Sequence, residues 1–169
     1  MIHHPTIAVC KALLFPLIQE QMAIAEPAPE YEHEPHGIDR LESVLQLMDS
    51  GHYADELAQA SYLFCAIIDG HPFSNGNKRL AVTLLSYFLL INGNRFHVSN
   101  IAIIREELRR KFPHLEWQKV HSFKNWHQYF LYHLALIIAD RAQKGRMTFQ
   151  DEQKAVRELL VFVVSKKAT

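Results

Sequence analysis

HPFSNGNKR, residues 71–79, is the stretch that decides the fold, because it stands between two long apolar segments. The segments Ala54–Asp69 and Lys78–Ile91 carry apolar residues at helical spacing, so they predict two helices joined by this turn. Lys78–Ile91 is apolar around nearly its whole circumference, which is typical of a helix in the middle of a core. We therefore expect the turn to be held at one end of a buried helical pair.

Helical periodicity continues through the rest of the chain, and no run alternates in the manner of strands. These patterns predict an all-α fold in a single domain, residues 1–169, with a core of about residues 37–141. Pro16 should kink the first helix or divide it. The other predicted elements are an N-terminal helix 7–25, a loop Glu26–Gly37, helices Asp39–Met48, Ser99–Lys111 (N-capped by Ser99 or Asn100) and Phe123–Gln143, and a C-terminal helix 148–166.

Composition and charge limit the classes of partner. The formal net charge is zero, so no overall field favours duplex DNA or an anionic membrane. No apolar run reaches the ~20 residues of a membrane span, and Ile7–Ile18 lacks the basic flank of a signal peptide. Cys10 and Cys65 form neither a CxxC clip nor a disulfide framework. We expect a cytoplasmic protein without nucleic-acid or membrane partners.

The turn contains the parts of a phosphate-binding site. A turn that opens onto a helix presents amide N–H groups that have no intrahelical acceptor, and the helix dipole adds positive potential there. Gly76 allows an anion to approach the backbone closely. Lys78 and Arg79 stand in the first helical turn, where cations are unfavourable unless an anion is bound. A turn with ordinary capping is the alternative, but it would not require these two cations.

Two further residues of the turn have predicted roles. His71 stands at its entrance and has a side chain whose ordinary pKa suits it to take a proton from a hydroxyl. Phe73 is the predicted apolar anchor of the turn on the core. Transfer of a phosphoryl-type group needs mainly positioning and charge neutralisation, which such a site can provide.

The same stretch closely resembles the signature of the Fic/Doc family, HPFx[D/E]GN[G/K]R. Two flanking segments extend the likeness: His36–Leu45 resembles the Gly-Leu-x-x-Leu-Glu-Ser segment of Doc-like members, and Phe88–Phe96 resembles their Leu-x-x-Asn-Gly-Tyr helix ending. The resemblance implies an all-α bundle with a catalytic loop at a helix N-terminus. It also implies a small β-hairpin flap beside the loop, here within Pro27–His36, that aligns the target. The signature is matched at His71, Pro72, Phe73, Gly76, Asn77, Lys78 and Arg79.

The family resemblance also implies an activity. It predicts a transferase that moves AMP or a phosphate from ATP (or another NTP), with Mg²⁺, onto a Ser, Thr or Tyr hydroxyl of a target protein. His71 would be the base, Phe73 structural, and the phosphates would be held by Gly76, Asn77, Lys78 and Arg79. Members with Gly at the Lys78 position usually transfer AMP, whereas Doc-like members with Lys there include ones that transfer the terminal phosphate. A toxin of a toxin–antitoxin pair is one expectation, and an antitoxin partner and a homodimer stay open.

Two positions depart from the family pattern. The acidic residue that usually holds Mg²⁺ is Asn75 here, and a carboxamide oxygen binds a hard cation more weakly than a carboxylate. The second arginine of the Fic form falls on Val82, a change shared with Doc-like members. Asn75 leaves three alternatives open: reduced activity, another metal ligand, or a degenerate Fic-fold module that only binds partners.

A weaker likeness concerns regulation. Some Fic proteins carry an inhibitory helix with [S/T]xxxE[G/N], and Thr148–Gln153 reads TFQDEQ, so Glu152 is the candidate inhibitory residue. The alternative is a helix start with Thr148 as the N-cap and an acidic first turn.

The remaining histidines and aromatic residues have plainer interpretations. The eleven histidines include no HExxH pattern, so a metal-dependent hydrolase is the least favoured of the three functions considered. The aromatic set is expected to form core and helix-packing surface. It comprises Trp117, Phe123, Trp126, Tyr129, Phe130 and Tyr132.

Overall fold

A computed structural model describes residues 2–22, 27, 29–97, 100–113, 123, 125–140 and 147–166. Its elements are helices with one short antiparallel strand pair. In chain order they are α1 (Ile7–Val9), a π-helical turn (Cys10–Leu14), α2 (Phe15–Gln21), a 3₁₀ turn (Tyr31–His33), α3 (Pro35–Asp49), α4 (Glu56–Gly70), α5 (Asn77–Ile91), β1 (Asn94–Phe96), α6 (Ile101–Lys111), α7 (Trp126–Ala139), α8 (Phe149–Val163) and β2 (Val164–Lys166).

Helices α4 and α5 form the centre of the molecule. Every residue from Gln59 to Ile68 is buried, and α5 buries Leu80, Leu84 and Phe88 against it. Helices α3 and α8 pack against α4, and α7 packs against both central helices. The predicted all-α class is therefore confirmed, and the loop between α4 and α5 lies at one end of the core.

The N-terminal helix is divided ahead of Pro16. A π-helical turn, Cys10–Leu14, joins α1 to α2, and Pro16 stands in the first turn of α2. Proline cannot donate a backbone hydrogen bond and crowds the preceding turn, which a wider turn accommodates. The prediction of a boundary at Pro16 is confirmed, whereas residues 23–25 of the predicted helix lie outside the described residues.

Helix α3 begins earlier than predicted, and this changes the expected flap. Pro35 occupies its first position, where a missing N–H carries no penalty. The described part of Pro27–His36 contains the 3₁₀ turn and the start of α3. The prediction of a β-hairpin within this segment was therefore wrong. Prolines at 27, 29 and 35 each remove a strand donor.

The antiparallel strand pair lies elsewhere, between segments that are distant in sequence. Strand β1 pairs with β2 in the register Asn94↔Lys166, Arg95↔Ser165 and Phe96↔Val164. The predicted C-terminal helix therefore ends at Val163 rather than at Lys166. Valines in this segment favour the extended conformation once a partner strand is present.

Side-chain caps fix the starts of most long helices. Asp55, Asn100, Asn125 and Thr148 each accept a hydrogen bond from the first turn of the following helix. Asn100 is thus one of the two predicted caps of α6, while Ser99 lies outside the described residues, as do Trp117 and residues 141–146. No helix within the described ranges has the length and apolar character that crossing a membrane requires.

Candidate active site

Asn77 fixes the shape of the loop between α4 and α5. Its Oδ1 accepts a hydrogen bond from the Phe73 N–H at 3.1 Å, and its Nδ2 donates to the Phe73 carbonyl at 2.7 Å. Asn77 is buried, and Phe73 packs edge-on against Tyr31 and Phe15. Phe73 therefore anchors the loop on the apolar core, as the sequence predicts.

Gly76 is required by both conformation and space. Its φ is +75°, in the left-handed region that favours glycine. A Cβ atom there would lie 2.5 Å from Pro29 Cγ and 2.6 Å from the Tyr31 hydroxyl. That hydroxyl donates to the Gly76 carbonyl at 3.0 Å, and burial raises the pKa of Tyr31, so it stays protonated as a donor. The 3₁₀ turn thus lies directly against the loop.

The N-terminus of α5 has no side-chain cap. Gly76 is the N-cap residue, and no side chain of the described residues caps the first-turn amides that a capped helix would satisfy. A cavity of about 180 Å³ opens here, and Lys78 at its rim is exposed. Sites for a whole drug-sized ligand are roughly 300–1,000 Å³, so the cavity matches the phosphate end of a nucleotide. The described residues lining it are Ile68, His71, Ser74, Asn75, Gly76, Asn77, Lys78, Arg79 and Ala139.

His71 projects from the end of α4 in a strained backbone conformation. Its φ is +42°, and among the described residues other than glycine it alone has a positive φ. Such strain costs about 1–2 kcal/mol and persists where the surroundings enforce it, often at functional sites. The side chain is exposed, and Asn77 Nδ2 lies 3.4 Å from its Nδ1. The hydrogen bonds that orient the Asn77 amide place its Nδ2 donor toward His71, so Nδ1 is the nitrogen that accepts in the neutral ring, and its electron pair faces Asn77.

Arg79 lines the same cavity but is tethered to the segment before α3. Its Nη1 donates to the Met22 carbonyl and its Nη2 to the Pro27 carbonyl, both at 3.1 Å. The guanidinium therefore stands between the loop and that segment.

Asn75 does not offer a ready metal ligand. Its side chain is exposed, but Oδ1 accepts a hydrogen bond from the Gly76 N–H at 2.6 Å. Nor do three or more His, Cys, Asp or Glu side chains come together as a metal-binding group within the part of the chain that the structure describes. The side chains of the loop, as arranged, do not form a binding site for Mg²⁺.

Glu34 is a loop contact that sequence reasoning missed. Its Oε2 accepts from the Ser74 N–H at 2.8 Å, and its Oε1 accepts from the Ser74 hydroxyl at 2.6 Å. Sequence reasoning places Glu34 only in the predicted loop Glu26–Gly37. No local pattern signals a contact across 40 residues, so only the tertiary structure identifies Glu34 and Tyr31 as supports of the loop.

The candidate inhibitory residue lies on a different part of the molecule. Glu152 is buried on α8, which packs against α4, and it is not among the described residues that line the cavity with Arg79. Thr148 forms a capping box with Asp151, so the helix-start interpretation is confirmed. An inhibitory role for Glu152 stays a prediction.

Comparison with known proteins identifies the class. Residues 17–89 match the model of a family described as the Fic/DOC family. This span runs from α2 into α5 and contains the whole loop, so over this part of the chain the match supports the family that the sequence resembles. No curated protein and no solved structure matches the chain.

Proposed function

We propose that the chain is a nucleotide-dependent transferase that modifies a hydroxyl of a target protein. The observation that carries the proposal is the placement of an exposed His71 at the rim of an uncapped helix N-terminus that also bears Lys78. Amide donors, the helix dipole and a lysine together favour a phosphate, and a neighbouring imidazole can take a proton. The family is known for nucleotide transfer, which supports the same class of reaction.

The proposed step uses His71 as the base. The hydroxyl of a Ser, Thr or Tyr gives its proton to the His71 imidazole as its oxygen bonds to phosphorus. If the α-phosphorus is attacked, the bond to the β-phosphate oxygen breaks, AMP is transferred and pyrophosphate leaves. If the γ-phosphorus is attacked, phosphate is transferred and ADP leaves. In both cases the amides after Gly76 and the Lys78 ammonium neutralise charge on the phosphates.

An experiment with two labelled forms of ATP distinguishes AMP transfer from phosphate transfer. Purified protein is incubated with lysate and either α-labelled or γ-labelled ATP. Label on a lysate protein from only α-labelled ATP indicates AMP transfer, and label from only γ-labelled ATP indicates phosphate transfer. Replacing His71 with Ala should reduce labelling by about 10²-fold or more, the usual contribution of a general base. The control is His97→Ala, since His97 is exposed and lines neither cavity beside the loop.

Absence of label from both nucleotides would count against the proposal. The assay is therefore repeated with Glu152→Gly, which removes the candidate inhibitory side chain. No label with either protein, or equal labelling by the wild type and His71→Ala, would contradict the proposed function.

The second candidate is a Fic-fold module that binds partners without catalysis. The engaged oxygen of Asn75 and the missing carboxylate favour it. It predicts no ATP binding with or without Mg²⁺, and full cellular function in His71→Ala. An antitoxin partner, which either candidate could have, is tested by copurification of the full chain from its native host.

A further inference from the structure

The cavity at the N-terminus of α5 is called the phosphate cavity here. A second cavity adjoins it, and His71 and Ser74 line both. We call it the groove; its volume is about 460 Å³. Its other walls come from the 3₁₀ turn and the first turns of α3. The residues lining the groove are His33, Glu34, Pro35, His36, Gly37, Arg40, His71, Pro72, Phe73 and Ser74.

The two walls of the groove contact each other directly. Both carboxylate oxygens of Glu34 are held by Ser74. Gly37 lies so close to the Phe73 ring that a Cβ on it would overlap the ring, so α3 and the loop are in direct contact. A groove with preformed walls can bind a ligand without the entropy cost of ordering them.

Arg40 gives the groove a positive charge that no described residue neutralises. Its side chain is exposed, and it forms no hydrogen bond or ion pair with any residue that the structure describes. Among the described residues that line the groove, Glu34 carries the carboxylate, and it accepts hydrogen bonds from Ser74. His33 pairs with Glu30. Other acids nearby, Glu32 and Asp39, do not line the groove. Lys78 is the corresponding exposed cation in the phosphate cavity.

We propose that the groove receives the acceptor segment of the target protein, and that Arg40 selects a segment with an acidic side chain close to the modified hydroxyl. This inference rests on the proposed function, because the hydroxyl must reach His71 from the groove while the nucleotide phosphates occupy the other cavity. An arginine fork matches a carboxylate in two parallel hydrogen bonds, which favours Asp or Glu over neutral or basic side chains.

The first test measures the preference during transfer. Peptide pools with one Ser, Thr or Tyr are flanked by Asp and Glu, by Asn and Gln, or by Lys, and labelled ATP is the donor. The wild type should label the acidic pool about fivefold better than the neutral pool, as expected for one exposed ion pair. Arg40→Glu should prefer the Lys pool, whereas Arg95→Glu, an exposed arginine on β1, should keep the wild-type preference.

The second test does not depend on turnover. The same pools, carrying a fluorophore, are titrated with full-length His71→Ala protein and with His71→Ala/Arg40→Glu protein. Tighter binding of the acidic pool that is lost with Arg40→Glu supports the inference even if no label is transferred, in which case only the proposed function fails. Transfer that depends on His71 but shows no acidic preference overturns the inference and leaves the proposed function standing. Displacement of the acidic pool by ATP would also overturn it, because the groove would then be part of the nucleotide site.

Discussion

Single side chains determine the shape and charge of the loop. Within the loop, Asn75 is the residue that departs from the family pattern. Its Oδ1 bonds the Gly76 N–H, so it supports the turn rather than presenting a charge. A carboxylate at this position would add the negative charge that a hard cation prefers.

Asn75→Asp should therefore raise the transfer rate at limiting Mg²⁺ by about tenfold, roughly 1.4 kcal/mol of added metal binding. The measurement is the rate of labelling across a Mg²⁺ titration. Asn75→Ser, which also lacks charge, is the control and should show no such gain. A rate that is equal in Asn75→Asp and wild type at every Mg²⁺ concentration would show that position 75 does not face the metal.

The contact between Glu34 and Ser74 also belongs to the residue scale. We expect a double-mutant cycle of Glu34→Gln and Ser74→Ala, measured by urea unfolding, to give a coupling free energy of about 1 kcal/mol. Exposure of the pair keeps this value below that of a buried charged hydrogen bond. Additive effects of the two substitutions would mean that the pair contributes nothing to loop stability.

At the scale of elements, local patterns predicted what is local. Periodicity identified α4 and α5, Pro16 marked the division of the first helix, and Asn100 and Thr148 act as caps. Contacts between distant segments leave no such pattern. The pairing of β1 with β2 and the tether of Arg79 to Met22 and Pro27 follow from packing of the whole chain, so they could not be predicted.

The junction of the loop with α5 has no room for an added methyl group. Gly76→Ala would strain a positive φ and would also meet Pro29 and the Tyr31 hydroxyl. Gly51→Ala provides the control, because Gly51 has a φ of +79° and, apart from its chain neighbours, no described residue has an atom within 4 Å of its Cβ position. We expect Gly51→Ala to lower the free energy of unfolding by about 1 kcal/mol and Gly76→Ala by about 3 kcal/mol. Equal losses in urea unfolding would show that the 3₁₀ turn does not press on the loop.

At the scale of the whole molecule, the helices share one buried cluster that extends from Cys10 to Val164. One polar member of the buried core is His133 on α7, which is fully buried and donates from Nδ1 to the Tyr129 carbonyl at 2.8 Å. Burial lowers the pKa of His133, and it also lowers the pKa of the half-buried His127. The folded state therefore resists protonation of both rings.

This resistance predicts a loss of stability in mild acid. Below the ordinary histidine pKa of about 6.5, the unfolded chain binds protons that the folded chain excludes, so the free energy of unfolding falls as pH falls from that value toward the lowered folded pKa. Urea unfolding from pH 7.5 to pH 5 should show this decline, and His133→Gln should reduce its slope. His97→Gln, at an exposed position, should leave the slope unchanged. An identical slope in His133→Gln would show that His133 protonates as easily when folded as when unfolded.

The proposed function requires the loop between α4 and α5 to bind the phosphates of a nucleotide, and an amide NMR titration of the chain with ATP tests this most directly. We expect the largest shift changes at the amides of Gly76 to Arg79, where α5 begins without a side-chain cap. Lys78→Glu should weaken ATP binding at least about tenfold, whereas Lys154→Glu, an exposed lysine on α8, should leave it unchanged. Shift changes centred instead on the cavity beside Asp55 and Asn94, or no changes at all, would contradict a phosphate site in the loop.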